Sequence, residues 1–488
     1  MQKVSCPSCG AEVVFRSAAS VMAVCEYCRS TLLKDAGSVK DIGKVSEVLE
    51  DYSPIRINTS GSFQGRTFAV VGRIQLRYDA GFWNEWHILF DDGSSGWLSD
   101  ASGQYVITLP QPPLEGGVPE FEEIKPGFRY MFDGTSFFAS DIRTAHCIAW
   151  EGELPFQVGR GWVAKVADCS AAHRFLTLDY SDGGLPQLFA GQAVTLDALR
   201  CQLLRDNDAI ASTAGRFRGQ TTALDCPSCG SAVQYKAGMA FHVVCPSCHA
   251  EVDCSMDKVL VLQKAEELAA IVTTLGLGDI GIVNGVKYEV IGLLQCRTCE
   301  EDASSTWVEY FLFNAQQGFL WLVESVEGWD RVDVLNEWPA QQHGVVDLKG
   351  EKFGSPEEYE SEVIYAAGAF NWRVSVGDKT RIRDFSKGNR KVSSETNDQE
   401  IVWTSSAKVS AAQIGRWFGK PIVTPVETEG KAGPVLSYTA PIIYSALLAT
   451  LNVPISFLTG ARGLKLMFWA LVLLWTPVVI TRLLGKDH

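Results

Sequence analysis

SCPSCGA at 5–11 and DCPSCGS at 225–231 are near-copies of one another, 220 residues apart, and their reading decides the fold. Each opens a four-cysteine signature of the same spacing, Cys6-x2-Cys9-x15-Cys25-x2-Cys28 and Cys226-x2-Cys229-x15-Cys245-x2-Cys248. Two CxxC pairs joined by a spacer of this length bring four thiolates around one ion, as in a zinc ribbon. The sequence therefore predicts two structural zinc ions, one in each ribbon. A ribbon this small has no core of its own, so the metal supplies much of its folding energy.

The duplication runs on past the cysteines. GRTFAVVG at 65–72 aligns with GVKYEVIG at 285–292, still at offset 220. Trp83-Asn-Glu-Trp86 aligns with Trp307-Val-Glu-Tyr310 at offset 224, so the second copy carries a four-residue hairpin insertion. Trp97-Leu98 then meets Trp321-Leu322, and 147–169 lies against 363–385 at offset 216. The body of each copy reads as β. Trp86 to Phe90, the turn 91–96 and Trp97-Leu98 form one hairpin; Tyr310 to Phe313, 314–318 and Phe319 to Trp321 repeat it. The stretch 68–78 is rich in Val and Ile but alternates apolar and polar residues only in part.

Short strands at regular spacing favour a sandwich or a small barrel. Helices are few: 39–49, 260–275, and two closing segments at 195–200 and 410–415, with Thr195 and Ser410 as N-caps. The expected class is mainly β: two zinc ribbons, each followed by a β-sandwich or small-barrel module with short helices, then a C-terminal transmembrane helical hairpin. The boundaries are ribbon one at 1–34, module one at 35–215, ribbon two at 220–256, module two at 257–423, a polar linker at 424–433, and the hairpin and tail at 434–488.

Residues 434–458 hold no charge, and 464–484 hold only Lys465 and Arg482. A run of about 20 apolar residues crosses a bilayer, and FWALVLLW at 468–475 is the most apolar part. Pro441, Asn452 and Pro454 weaken the first stretch, whose alternative is a buried or re-entrant half-hairpin. Arg462 and Lys465 at the turn balance Arg482 and Lys486 at the tail, so charge does not orient the hairpin. The cysteines do: ribbon thiolates need a reducing compartment, and residues 1–3 lead straight into the first knuckle without a signal peptide. The expectation is a body on the cytoplasmic face of the inner membrane, held to the bilayer through 434–484.

The net charge of −14 argues against nucleic acid, whose phosphates need a basic face. Ribbon one offers only Lys3, Arg16, Arg29 and Lys34; ribbon two offers Lys236, Lys258, His242 and His249. An acidic body instead attracts cations, polyamines among them. Gly276-Leu-Gly-Asp-Ile-Gly281 matches GxGxxG, but a strand follows it where a dinucleotide site needs a helix, so a glycine turn is expected. Cys296-Arg-Thr-Cys299 at the inserted hairpin is a metal half-site, a redox pair or, by default, two free thiols. Cys147, Cys169, Cys201 and Cys254 read as small buried hydrophobes, and His87, His146 and His173 as packing residues. Glu151 and Glu153 with Asp168 are the nearest thing to an acid–base set. Copy two places Ala367 and Ala369 opposite the two glutamates, and only Asp168 has a match, in Asp384. No P-loop, HExxH, GxSxG or kinase set occurs, so no catalytic residue is assigned and an enzyme is not expected.

The ribbon, the G-x-x-[FY]-x-V-[VI]-G run, W-x-E-[WY], the following W-L and E-G-E-L-P resemble an uncharacterised bacterial family of β-rich domains of unknown function. Members often carry a zinc ribbon ahead of the domain, sometimes twice. The resemblance covers 5–200 and 225–418. It implies neighbours among polyamine-synthesis proteins and small membrane proteins linked to envelope stress, and it supplies no reaction. The leading expectation is a membrane-anchored scaffold or adaptor that docks protein partners, such as a small membrane protein or further copies of itself. The alternative is a sensor that binds a small cation such as a polyamine.

Overall fold

The structure, a computed structural model, describes residues 2–17, 19–35, 38–44, 51–79, 81–101, 103–113, 117–159, 161–206, 209–210, 224–233, 242–253, 260–263, 271–299, 305–314 and 317–422. The linker at 424–433 and the expected hairpin at 434–488 lie outside the described residues. Among the described residues no helix is long and apolar enough to cross a membrane.

Each copy closes on itself. In copy one the wall runs Arg66–Tyr78, Gly81–Phe90, Ser95–Ala101, Gln104–Pro110, Gln187–Val194, Arg174–Asp179, Val163–Ala171 and Thr135–Leu154, each strand antiparallel to the next. Thr135–Leu154 then pairs back onto Arg66–Tyr78, completing an eight-stranded barrel. Copy two repeats the circuit from Val286–Thr298 through Thr306–Asn314, Gly318–Ser325, Gly328–Val334, Ile401–Val409, Arg390–Thr396 and Lys379–Lys387 to Glu351–Phe370 and back. The inferred alignment holds strand by strand: Leu76 faces Trp83 where Cys296 faces Trp307, and Cys147 faces Leu76 where Val363 faces Cys296.

Of the two expected architectures, the barrel is the one formed, and the 20-residue closing strand is the reason. Its first part, Phe138 to His146, pairs with Val163–Ala171; from His146 to Gly152 it pairs with Arg66–Tyr78; Glu153 and Leu154 then pair with Ala23 and Met22 of ribbon one. Bulges between Ala139 and Asp141 and between Cys147 and Ala149 bend it around the wall. Copy two does the same, ending where Gly368 to Phe370 meet Val244 to His242. The ribbon hairpins are therefore continuations of the barrel sheets.

Two of the expected helices are strands. Ser38–Lys44 pairs with Ser30–Asp35, and Leu260–Gln263 pairs with Glu251–Asp253. Each ribbon hairpin offers an open edge to the segment that follows it, and pairing there overrides local helix preference. The rest of those two segments, 45–49 and 264–270, lies outside the described residues, and 271–275 is not helical. At 195–200 the chain makes turns, with the Ala198 N–H donating to Thr195 Oγ1 at 3.1 Å. The last expected helix does form, as α1 (Ala411–Phe418), capped by Ser410 and stopped at Gly419 with φ 64°. It buries Ile414 and Phe418 against Val290, Tyr310 and Leu322. Gly281 makes room for it, since a Cβ there would lie 2.7 Å from Phe418 Cζ.

Apolar cores lie on both faces of the barrel walls: Ile74, Leu76 and Trp150 pack together on the inner face of barrel one, and flanking segments cover the outer face. In copy one Ile55 and Leu199 cover Phe68, Val70, Trp86 and Ile88, while Ile124 covers Cys169, Leu176 and Leu188. The two barrels also pack on each other. The Trp338 N–H donates to the Ala172 carbonyl at 2.8 Å, and the Trp338 ring stacks on Phe138 at 5.8 Å. Arg143 of barrel one pairs with Glu400 and Gln399 from a hairpin of barrel two.

Glu153 fastens ribbon one to its barrel. Its buried carboxylate accepts from the backbone N–H groups of Arg16 at 2.7 Å and Ser17 at 3.2 Å and from the Ser20 hydroxyl at 2.9 Å. Glu153→Ala leaves these donors unpaired and is expected to cost about 3 kcal/mol, in the range for breaking a buried charged network. Urea unfolding would read the loss, with faster amide exchange at Arg16 and Ser17. A change under about 0.5 kcal/mol, the size of a neutral surface substitution, would contradict this role.

Candidate metal centres and a carboxylate-lined lumen

The knuckles hold their thiols by backbone geometry. The Gly10 N–H donates to the Cys6 carbonyl and the Arg29 N–H to the Cys25 carbonyl; Gly230 and His249 do the same for Cys226 and Cys245. All four donors sit at positive φ, from 52° to 77°. Within each set the four sulfurs lie within 4.8 Å of one another. The separations are 3.6 Å for Cys6 and Cys28, 3.7 Å for Cys9 and Cys25, 3.7 Å for Cys226 and Cys248, and 3.9 Å for Cys229 and Cys245. A metal–sulfur bond of about 2.3 Å sets a tetrahedron edge of ~3.8 Å, and a disulfide would need about 2.05 Å. The donor sets therefore fit a metal ion. They are the metal-ligand clusters found among the described residues.

A second constellation lines the barrels. Antiparallel partners face the same side of a sheet, so the register shows which side chains point inward. Glu85 faces Ile74 and Asp168 faces Asp141 and Thr177, while Asp179 faces Val166, all on the inner wall of barrel one. Copy two has an acid at every matching position: Glu309, Asp384, Glu357 and Glu395. The tryptophan of each W-x-E run also repeats its contact. Trp83 Nε1–H donates to Glu85 at 2.8 Å, and Trp307 Nε1–H to Glu309 at 2.7 Å.

These acids perturb one another across the lumen. Burial pushes Glu85 up to about 7, and the Asp179 and Asp100 charges add to it against hydrogen bonds from Ser99 and Trp83. Burial likewise raises Asp168 to about 7, with the charges of Glu85 and Asp179 contributing. The Glu85 strand and the two aspartate strands are not neighbours in the wall, so their charges act on one another across the interior. In barrel two burial raises Glu395 to about 8, assisted by Glu309 and Asp384. Glu85, Asp168, Asp179, Glu309 and Glu395 are enclosed by the wall yet only partly sealed from solvent. At the mouth of barrel one Arg143 sits 2.7 Å from Asp141, with its guanidinium 4.5 Å from the Tyr78 ring. In barrel two Tyr359 takes that place and its hydroxyl lies 3.5 Å from Asp384.

The acid–base set read from sequence does not assemble. Glu151 faces Arg73 on the outer wall at 3.5 Å, Glu153 clamps the ribbon, and Asp168 faces the lumen. Cys296 is buried beside Glu309 and its thiol is pushed up by burial, whereas Cys299 lies past the strand end. Cys147 and Cys169 are buried and Cys201 is half-buried; Cys254 lies outside the described residues. His87 is buried, but His146 and His173 are exposed, correcting the packing role expected for them. Gly276 to Asp279 form a turn, closed by the Gly276 N–H on Asp279 at 2.7 Å. The lumen acids were detectable in the sequence: offsets 224 and 216 also superpose Glu85 on Glu309, Asp141 on Glu357 and Asp179 on Glu395.

No curated protein and no solved structure shows significant similarity to the chain. One protein-family profile matches twice, over 56–196 and 276–411, which are the two barrels without their ribbons. The chain therefore belongs, in two tandem copies, to the family described as Domain of unknown function (DUF4178).

Proposed function

We propose that the protein is a binding module for small organic cations of the polyamine kind, held in the barrel lumens, rather than an enzyme. The observation that carries this reading is the recurrence of four inward-facing acids at matching positions in both copies. Their oxygens are too dispersed to form a single-ion cluster within 4.8 Å, which favours a ligand with its charge on an extended chain. An eight-stranded barrel is of the size that is either filled by side chains or holds one small ligand, as in ligand-binding barrels of this strand number. Binding must ionise carboxyls that burial holds protonated toward neutral pH, so uptake releases protons and strengthens from pH 6 to 8. Titration calorimetry with spermidine at physiological ionic strength is expected to give saturable heat that depends on the buffer's ionisation enthalpy. Glu85→Gln and Glu309→Gln should each remove a share of the sites. Heat that vanishes at that ionic strength would reduce the effect to screened surface attraction and sink the proposal.

We take the ribbon metal to be zinc, since an all-thiolate tetrahedral set suits a borderline-soft, redox-inert ion. The apolar stretches at 434–458 and 464–484 support attachment to a membrane, and the thiolate sets favour its reducing, cytoplasmic face. A chain ending at Thr428 is then expected to purify without detergent carrying two zinc ions, and Cys9→Ser in that chain to leave one. A full-length chain that needs no detergent, or a zinc content untouched by Cys9→Ser, would contradict these assignments. A second reading, docking of protein partners as a scaffold, is favoured by Tyr27, 80% exposed on the knuckle between Cys25 and Cys28. Tyr27→Ala would then release a partner that co-purifies stoichiometrically from detergent extract, and recovery of no such partner would remove this reading.

A further inference from the structure

The two lumens differ in one respect that the shared acids do not explain. In barrel one His87 and Trp150 lie on the inner wall with Glu85: His87 faces Gly72, Trp150 faces Ile74, and Ile74 also faces Glu85. His87 is 0% exposed and Trp150 6%. His87 Nδ1 is 2.9 Å from the Glu153 carbonyl oxygen, which only accepts, so Nδ1 carries the proton. Burial holds the ring neutral, with its pKa lowered to about 4. Nε2 is then a bare lone pair, and it has no hydrogen-bond partner. Trp150 Nε1 is an N–H donor, also without one. Burying such groups unpaired costs about 1–3 kcal/mol each.

The fold does not require this cost. The corresponding positions in barrel two are Phe311, facing Gly292, and Ala366, facing Leu294. There Phe311 packs among Phe319, Trp321, Phe370 and Trp372, with centroids 4.6 to 6.1 Å apart, and neither Phe311 nor Ala366 carries a polar side-chain atom. Barrel one therefore combines an acid cluster with one orphan acceptor and one orphan donor, and barrel two has the acids alone.

Building on the cation-binding reading, we infer that barrel one selects an amine whose far end is a neutral group that both donates and accepts a hydrogen bond, an amide or a hydroxyl. The ammonium sits among Glu85, Asp168 and Asp179. The neutral end donates to His87 Nε2 and accepts from Trp150 Nε1–H. His87 is two residues from Glu85 along the strand, about 7 Å, while Trp150 stands level with Glu85 across Ile74, so the neutral end lies between His87 and Trp150. A second ammonium would suit that end poorly, because it could not accept from Trp150 Nε1–H. Barrel two, lacking both groups, does not distinguish such ligands from simple amines.

The test uses the full chain in detergent with two probes, N-acetylputrescine and butylamine. N-acetylputrescine is expected to bind barrel one roughly tenfold or more tightly, the factor that two added hydrogen bonds supply. His87→Phe and Trp150→Ala introduce the residues that barrel two already accommodates, and each should bring the ratio toward one. In the wild type, N-acetylputrescine but not butylamine should shift the 15N resonance of His87 Nε2, a readout that does not depend on any variant folding. If Glu85→Gln abolishes binding while His87→Phe leaves the ratio unchanged and the Nε2 signal does not move, the selectivity inference is overturned and the cation reading stands. If neither amine responds to Glu85→Gln, both fall.

Discussion

Everything in each copy depends on one strand satisfying two edges at once. Thr135–Leu154 gives its first half to Val163–Ala171 and its second half to Arg66–Tyr78, and has two residues left for ribbon one. A strand that paired on one side only would leave an open sheet with exposed edges. Double pairing makes a closed wall, and the bulges at Ala139/Asp141 and Cys147/Ala149 supply the bend. The same strand carries Asp141 and Arg143 near one end, Trp150 further along and Glu153 at the ribbon. Lumen mouth, lumen wall and ribbon clamp are thus set by a single backbone path.

Closure also explains the polarity of the interior. The outer faces are apolar because flanking segments cover them, as Ile55 and Leu199 cover Phe68 and Ile88. The barrel can then place acids inward, where they cost stability as they ionise. An acid raised above its ordinary value, as Glu85 and Asp168 are, keeps its proton in the folded state after the unfolded chain has released it. Stability from such groups is therefore full below pH ~4 and falls as pH rises toward 7. That this burden recurs at matching positions in both copies supports the proposal that the interior binds a cation.

The ribbons, the tandem duplication and the β class were legible because each leaves a local signature. CxxC spacing is a direct record of metal geometry, and aligned runs at fixed offsets record strand order. Barrel closure was not legible, since it rests on pairing between residues as distant as Ile74 and Trp150. The weak alternation at 68–78 was a true signal: Phe68 and Val70 face the outer core while Ile74 and Leu76 face inward, so both faces are buried. Ser38–Lys44 and Leu260–Gln263, where helices were expected, lie beside open ribbon edges, where pairing outweighs propensity. Glu151 and Glu153 resembled an acid pair because they stand two apart in sequence. Asp168, Asp179 and Glu85, on three different strands, are the acids that face the lumen and influence one another's charge.

The central claim is that acids from different strands face one another across the lumen, hold protons near neutral pH and yield them to a cation. Carbon-detected NMR of the side-chain carboxyls, titrated with and without saturating spermidine, measures it directly. The account predicts that Glu85 and Asp168 titrate near 7 in the free protein and move to lower pH when spermidine is bound. Carboxyls that titrate in the ordinary range of about 4 to 4.5, or that do not respond to spermidine, would contradict it.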